Sequence, residues 1–212
     1  MGQVPMKGGE MRKVFGLVCA GLFVAGFASV SRAQNSSFGL KAGLNMANLT
    51  SEPEGHSYDI KTGVAMGGFL TYPLSDDIAL QPELLYTQKG NEIESLDYSS
   101  GGGDYATTVI KLDYIEIPIL AKYSISPGES ACPFVFVGPS IGILMGAKVD
   151  SEDLKDFCKS TDIGLVLGGG VELESGVSID LRYDMGMTKA FDEGNSKNTV
   201  ISLMVGYKLP AK

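Results

Sequence analysis

Between Val177 and Met187 the chain alternates without interruption: Val, Ser, Ile, Asp, Leu, Arg, Tyr, Asp, Met, Gly, Met. Odd positions are apolar; even positions are charged, hydroxylic or glycine. Successive side chains of a strand point to opposite faces, so this stretch makes a ribbon with one oily and one charged side. An oily side alone suits any half-buried sheet. The stronger constraint is recurrence, because comparable runs appear about eight times along the sequence.

The eight runs are Phe38–Leu49, Thr62–Leu74, Ile78–Gly90, Thr108–Tyr123, Pro133–Gly146, Thr161–Glu174, Val177–Thr188 and Thr199–Leu209. Clusters of Gly, Pro, Ser and Asp bound them, and no segment has sustained helical periodicity. Most reach the 9–11 residues, about, that carry a tilted strand across a bilayer. Their connections alternate in length. Long ones (Thr50–Lys61, Asn91–Thr107, Ala147–Ser160, Lys189–Asn198) follow the odd-numbered runs. Short ones, around Ser75-Asp76, Ser124–Cys132 and Ser175-Gly176, follow the even-numbered ones before the last. Outer-membrane barrels combine short periplasmic turns with longer extracellular loops, and an even strand count puts both chain ends on the periplasmic side. The expectation is an all-β, eight-stranded, antiparallel up-and-down transmembrane barrel.

The faces divide consistently. Leu80, Leu84 and Tyr86, the isoleucines 115, 117 and 119, Val135 and Val137, and Ile201, Leu203 and Val205 fall on the lipid side. Lys41, Asn45, Gln81, Glu83, Lys89, Glu116, Lys122, Asp162, Glu172, Asp180, Arg182 and Asp184 fall on the lumen side, with glycines such as Gly138 and Gly170. A soluble lipocalin-like barrel would reverse the two faces. The apolar face carries almost no charge in mid-strand, and Tyr72, Tyr86, Tyr123 and Tyr207 fall towards strand ends as girdle residues do. Both features favour the membrane.

Residues 1–33 read as an export signal. Met11-Arg12-Lys13 gives the positive start, Val14 to Ala28 the apolar core, and Ser31-Arg32-Ala33 a cleavage site before Gln34. Residues 1–10 fit an alternative start, and residues 34–212 form the barrel domain. The signal removes four of 17 basic and one of 25 acidic residues, leaving 13 and 24, a net of −11. That charge argues against a nucleic-acid partner. Cys132 and Cys158 fall at opposite ends of neighbouring strands, too far apart for a bridge, so two free thiols are expected.

Several short motifs occur in order. They are Phe38-Gly39-Leu40-Lys41-Ala42-Gly43-Leu44-Asn45, Leu80-Gln81-Pro82-Glu83-Leu84-Leu85-Tyr86 with Lys89-Gly90, Tyr114-Ile115-Glu116-Ile117-Pro118, Val137-Gly138-Pro139-Ser140 and Leu181-Arg182-Tyr183. Over nearly all of the mature chain they resemble the porin family of outer-membrane β-barrel proteins, which are PorT-like with OmpA/OmpX-type eight-stranded barrels. The resemblance implies an integral outer-membrane protein of a Gram-negative cell envelope, in contact with outer-membrane lipid and lipopolysaccharide and inserted by the outer-membrane assembly machinery. The end Tyr207-Lys208-Leu209-Pro210-Ala211-Lys212 departs from the usual terminal aromatic, a role left to Tyr207.

Eight strands enclose a lumen just wide enough for side chains to fill. Buried ions need partners. Counted from the short turns, Glu83, Glu116 and Arg182 lie at similar heights, which predicts that Arg182 bridges one or both glutamates, with Asp180 and Asp184 beside it. The bland reading is a structural plug; the sharper one is a polar gate passing water or small ions. Enzymatic lipid A modification would require a histidine to activate a nucleophile. The sole histidine, His56, sits in a loop beside Ser51, Glu52, Ser57 and Asp59 and reads as solvated. No catalytic, cofactor-binding or metal site is expected, because one histidine and two distant cysteines lack ligand spacing. The four long connections hold thirteen acids against six lysines, a net of −7. Such a rim reads as hydrated surface; its functional alternative gathers divalent cations against lipopolysaccharide phosphates or binds a basic partner. The expected role is structural or surface-interacting, through the four loops.

Overall fold

The alternating runs form strands in a computed structural model, which describes residues 36–50, 58–97, 104–125, 130–149, 152–153, 158–190 and 196–210. The expected signal segment, its cleavage site and His56 lie outside the described residues. Among the described residues there are ten strands: β1 (Ser37–Thr50), β2 (Tyr58–Asp59), β3 (Lys61–Pro73), β4 (Ile78–Asp97), β5 (Asp104–Ser124), β6 (Ala131–Val149), β7 (Glu152–Asp153), β8 (Thr161–Leu173), β9 (Val177–Gly186) and β10 (Lys197–Lys208). The two-residue strands β2 and β7 add to β4 and β6. The eight long strands pair in chain order, all antiparallel. Pairing of β1 with β10, from Gly39↔Lys208 to Thr50↔Lys197, closes the sheet on itself. Closure leaves no sheet edge around the ring, as a bilayer demands of a strand protein.

The long connections depart from expectation: β2 and β7 fall within Thr50–Lys61 and Ala147–Ser160, and the largest departure is at the β4–β5 connection. The span Asn91–Thr107, expected as a loop, continues β4 and β5 through the pairs Asn91↔Ile110 to Asp97↔Asp104. Six further steps at about 3.3 Å carry this hairpin roughly 20 Å along the strand direction. Charged and hydroxylic residues there hid the period of two, although the backbone pairing needs no apolar face. Short turns join the other end. In the β8–β9 turn the Gly176 N–H donates to Leu173 O at 2.9 Å, with Gly176 at φ 85°. This is the left-handed residue that follows a type I turn in a three-residue hairpin, so Gly closes the turn Ser175-Gly176 without a Cβ penalty.

Burial follows parity along the long strands, shifted by one in β6 at the bulge opposite Asp113 and Tyr114, where Leu144 and Ala147 are both buried. Along β9 the even residues Ser178, Asp180, Arg182, Asp184 and Gly186 are buried, while Ile179, Leu181 and Met185 are exposed. The same holds elsewhere: Leu44 is 58% exposed and Val205 51%, whereas Asn45 and Met204 are at 0%. An uninterrupted outer band of half-exposed Leu, Ile, Val and Met far exceeds the apolar patch a water-soluble monomer shows. A lipocalin-like inside is therefore ruled out: the ions point in. Tyr72, Tyr123 and Tyr207, each close to half exposed, stand on the outer wall near the short-turn end. No disulfide joins Cys132, at the short-turn end of β6, to Cys158, which is buried at the other end of the barrel.

Candidate functional site

The lumen is filled by three tiers of charge stacked along the barrel. At the short-turn end, Lys122 of β5 meets Glu172 of β8 at 2.6 Å, and Lys208 of β10 donates to the same carboxylate. Above it, Glu83 of β4 accepts from Lys41 of β1 at 2.7 Å, from Gln81 at 2.7 Å and from Arg182 of β9 at 2.8 Å. Asp180 completes this middle tier, accepting from Arg182 Nη2 at 3.0 Å and lying 3.5 Å from Lys41 Nζ. In the upper tier Lys89 faces Asp184 at 2.7 Å, Asp162 at 3.4 Å and Glu116 at 3.4 Å. Asn198 donates to Asp162 at 2.9 Å. Over this tier, Leu49, Leu112, Tyr114, Leu144, Ala147, Cys158 and Ala190 pack into an apolar cap.

Arg182 thus reaches Glu83 and its strand neighbour Asp180, and not Glu116. Counting residues up from the turns treated the strands as level. Closed barrels stagger their register from strand to strand, and Glu116 pairs with Leu85, two residues above Glu83, which puts it in the tier of Lys89. Asp180 and Asp184 are four residues apart on β9, about 13 Å along the strand, and so serve different tiers.

Each central cation also lies over an aromatic ring. Lys122 is 4.0 Å from the Phe134 centroid, Lys41 5.0 Å from Phe69, Arg182 5.3 Å from Phe136 and Lys89 5.5 Å from Tyr114. Such contacts are worth about 2 kcal/mol when desolvated. Sequence reasoning passed over these rings, although the signal was present. Phe69 shares the parity of Lys61 and Tyr114 that of Glu116 and Lys122, while Phe134 and Phe136 alternate with the outward Val135 and Val137, so all four had to point inward.

Charge balance differs from tier to tier. The middle tier sets two cations against two carboxylates; the upper sets one against three; the lowest sets two against one. Glycines allow the rings and long side chains to fill the space. A Cβ on Gly138 would lie 2.0 Å from Ile119 O, and one on Gly170 2.1 Å from Ile179 O. Between the middle and upper tiers a cavity of about 20 Å³ borders Arg182, Asp184 and Glu116. That is room for about one water molecule and no hydrated ion. A larger cavity of about 480 Å³ opens at the short-turn end, lined by Lys122, Glu172, Lys208 and the turn residues. Among the described residues no cluster of His, Cys, Asp and Glu is arranged to hold a metal ion.

The family described as "Outer membrane protein beta-barrel domain" matches residues 27–192. The chain belongs to that family. Membership places this barrel in the outer membrane of a Gram-negative cell. Among solved structures, Neisserial surface protein A is similar at 19% identity, with a TM-score of 0.52, covering 83% of this chain and 100% of that one. OprG from Pseudomonas aeruginosa is similar at 12% identity and a TM-score of 0.49, over 85% of this chain and 99% of that one. The outer membrane enzyme PagL is similar at 14% identity and a TM-score of 0.47, over 82% and 99%. Identities this low carry the fold alone. Comparison with curated proteins finds no match. The family shown is broader than the PorT-like porin group that the motifs resemble.

Proposed function

We propose that this protein is a non-enzymatic envelope protein whose barrel is a sealed anchor and whose long connections work at the cell surface. The observation that carries this reading is the lumen, which among the described residues is filled by three tiers of ion pairs under an apolar cap. Glu83, Lys41, Arg182 and Asp180 form one crosslinked plug, which costs far more to open than a screened surface pair. The termini lie on the periplasmic side, with the short turns, and the long connections face outward. The extended β4–β5 hairpin supports the surface role. Its outer residues, Glu94–Asp97 and Asp104–Thr107, pair only with each other among the described residues. That arrangement holds a backbone well clear of the wall.

An epitope inserted at Gly101–Gly103, with impermeant maleimide used against Cys132, tests this orientation. Antibody should bind intact cells, and Cys132 should react only after the outer membrane is opened. The opposite pattern would overturn the reading. Contact with lipopolysaccharide, and delivery by the assembly machinery, follow from residence in this membrane and belong to the same proposal.

A further inference from the structure

The cavity at the short-turn end is not used by the plug, and its charges are sorted by depth. On its floor Lys122 and Lys208 share one carboxylate, Glu172. The Lys122 side chain is only 7% exposed and is held against Phe134 as well, so its ammonium cannot swing out to solvent. Two ammonium groups on one carboxylate leave one positive charge in a half-enclosed space, where a second anionic group would be strongly held. The mouth has the reverse sign. Asp76 and Asp77, in the β3–β4 turn, and Glu174, in the β8–β9 turn, line the entrance and are exposed.

This arrangement discriminates by charge pattern. A simple anion must pass three carboxylates to reach the floor, and a simple cation meets two ammonium groups once inside. A molecule carrying both charges satisfies both ends. The volume of about 480 Å³ lies within the range of small-molecule sites, about 300–1,000 Å³. We infer that the short-turn mouth binds a zwitterionic small molecule of the amino-acid or short-peptide class, its carboxylate seated on Lys122 and Lys208 and its ammonium among Asp76, Asp77 and Glu174. The site is independent of which way the barrel faces and of whether the loops have a partner.

Cys132 lines the same cavity and reports on its occupancy. The protein is folded in a non-ionic maltoside detergent, and maleimide labelling of Cys132 is followed by peptide mass spectrometry. Glycylglycine is the probe, with acetate and ethylamine as controls at equal ionic strength. At about twice its Kd the dipeptide leaves roughly a third of the sites open, so labelling should slow about threefold. Acetate and ethylamine should leave the rate unchanged. Lys208→Gln, at a strand end and easily tolerated, should abolish the protection, as should Lys122→Gln if it folds. Absence of protection, equal protection by acetate, or protection that survives Lys208→Gln would each overturn the inference.

Discussion

Tier-by-tier charge balance makes opposite predictions for two conservative substitutions in the same lumen. Glu83→Gln preserves size and removes charge from the balanced middle tier. Glu83 is fully buried and accepts three short hydrogen bonds, from Lys41, Gln81 and Arg182. After the change, Asp180 alone must compensate both cations, and its distance to Lys41 is already 3.5 Å. Removing one partner from a buried ion pair costs about 3–5 kcal/mol. That is roughly two to three and a half decades in the folding equilibrium. Glu116→Gln acts on a tier with one ammonium and three carboxylates. Lys89 keeps Asp184 at 2.7 Å and Asp162 at 3.4 Å, and a repulsion is relieved. Its cost should stay below about 1 kcal/mol, the worth of an ordinary hydrogen bond. Urea titration of folding into lipid vesicles measures both, read by heat-modifiable gel migration and by tyrosine emission, since the sequence holds no tryptophan. Equal costs for the two variants, or a Glu83→Gln barrel as stable as wild type, would refute the tier account.

Two further predictions concern the wall. Leu181→Lys, at the middle of β9 with its side chain 55% exposed to the outside, should destabilise the barrel by about 2–4 kcal/mol in vesicles. Tyr207→Lys, near the short-turn end, should cost about 0–1 kcal/mol in the same titration. Gly138→Ala, whose Cβ would meet Ile119 O at 2.0 Å, should prevent folding at moderate urea. Gly146→Ala, with its nearest neighbour 3.7 Å away at Asp113 Oδ2, should fold as wild type on the same gel.

How far the sequence reached depended on whether a property was local. Inward or outward direction is local, fixed by the parity of each strand, so Lys41, Lys89, Asp162 and Asp184 could be assigned to the lumen from alternation alone. Partnership across the lumen is not local. It depends on the stagger between strands, which no single strand carries, and this is why Glu116 belongs with Lys89 rather than with Arg182. The rings Phe69, Phe134 and Phe136 were legible by the same parity, yet aromatic residues read as wall or girdle when the lumen is assumed to be polar throughout. Strand ends were least legible where hydrophobicity stops but pairing continues, as in the β4–β5 hairpin. The cavity at the short-turn mouth joins residues from both ends of the sequence, Asp76 to Lys208, and only closure of β1 on β10 brings them to one place.

A closed lumen in a lipid-facing wall is tested most directly by current. Protein whose heat-modifiable migration shows it folded is added to a planar bilayer, and conductance is recorded over many insertions. The tiers and the cap predict traces without discrete steps. A steady ohmic conductance from the wild-type barrel would contradict the account, because it would require a continuous water path through Lys41, Glu83, Asp180 and Arg182.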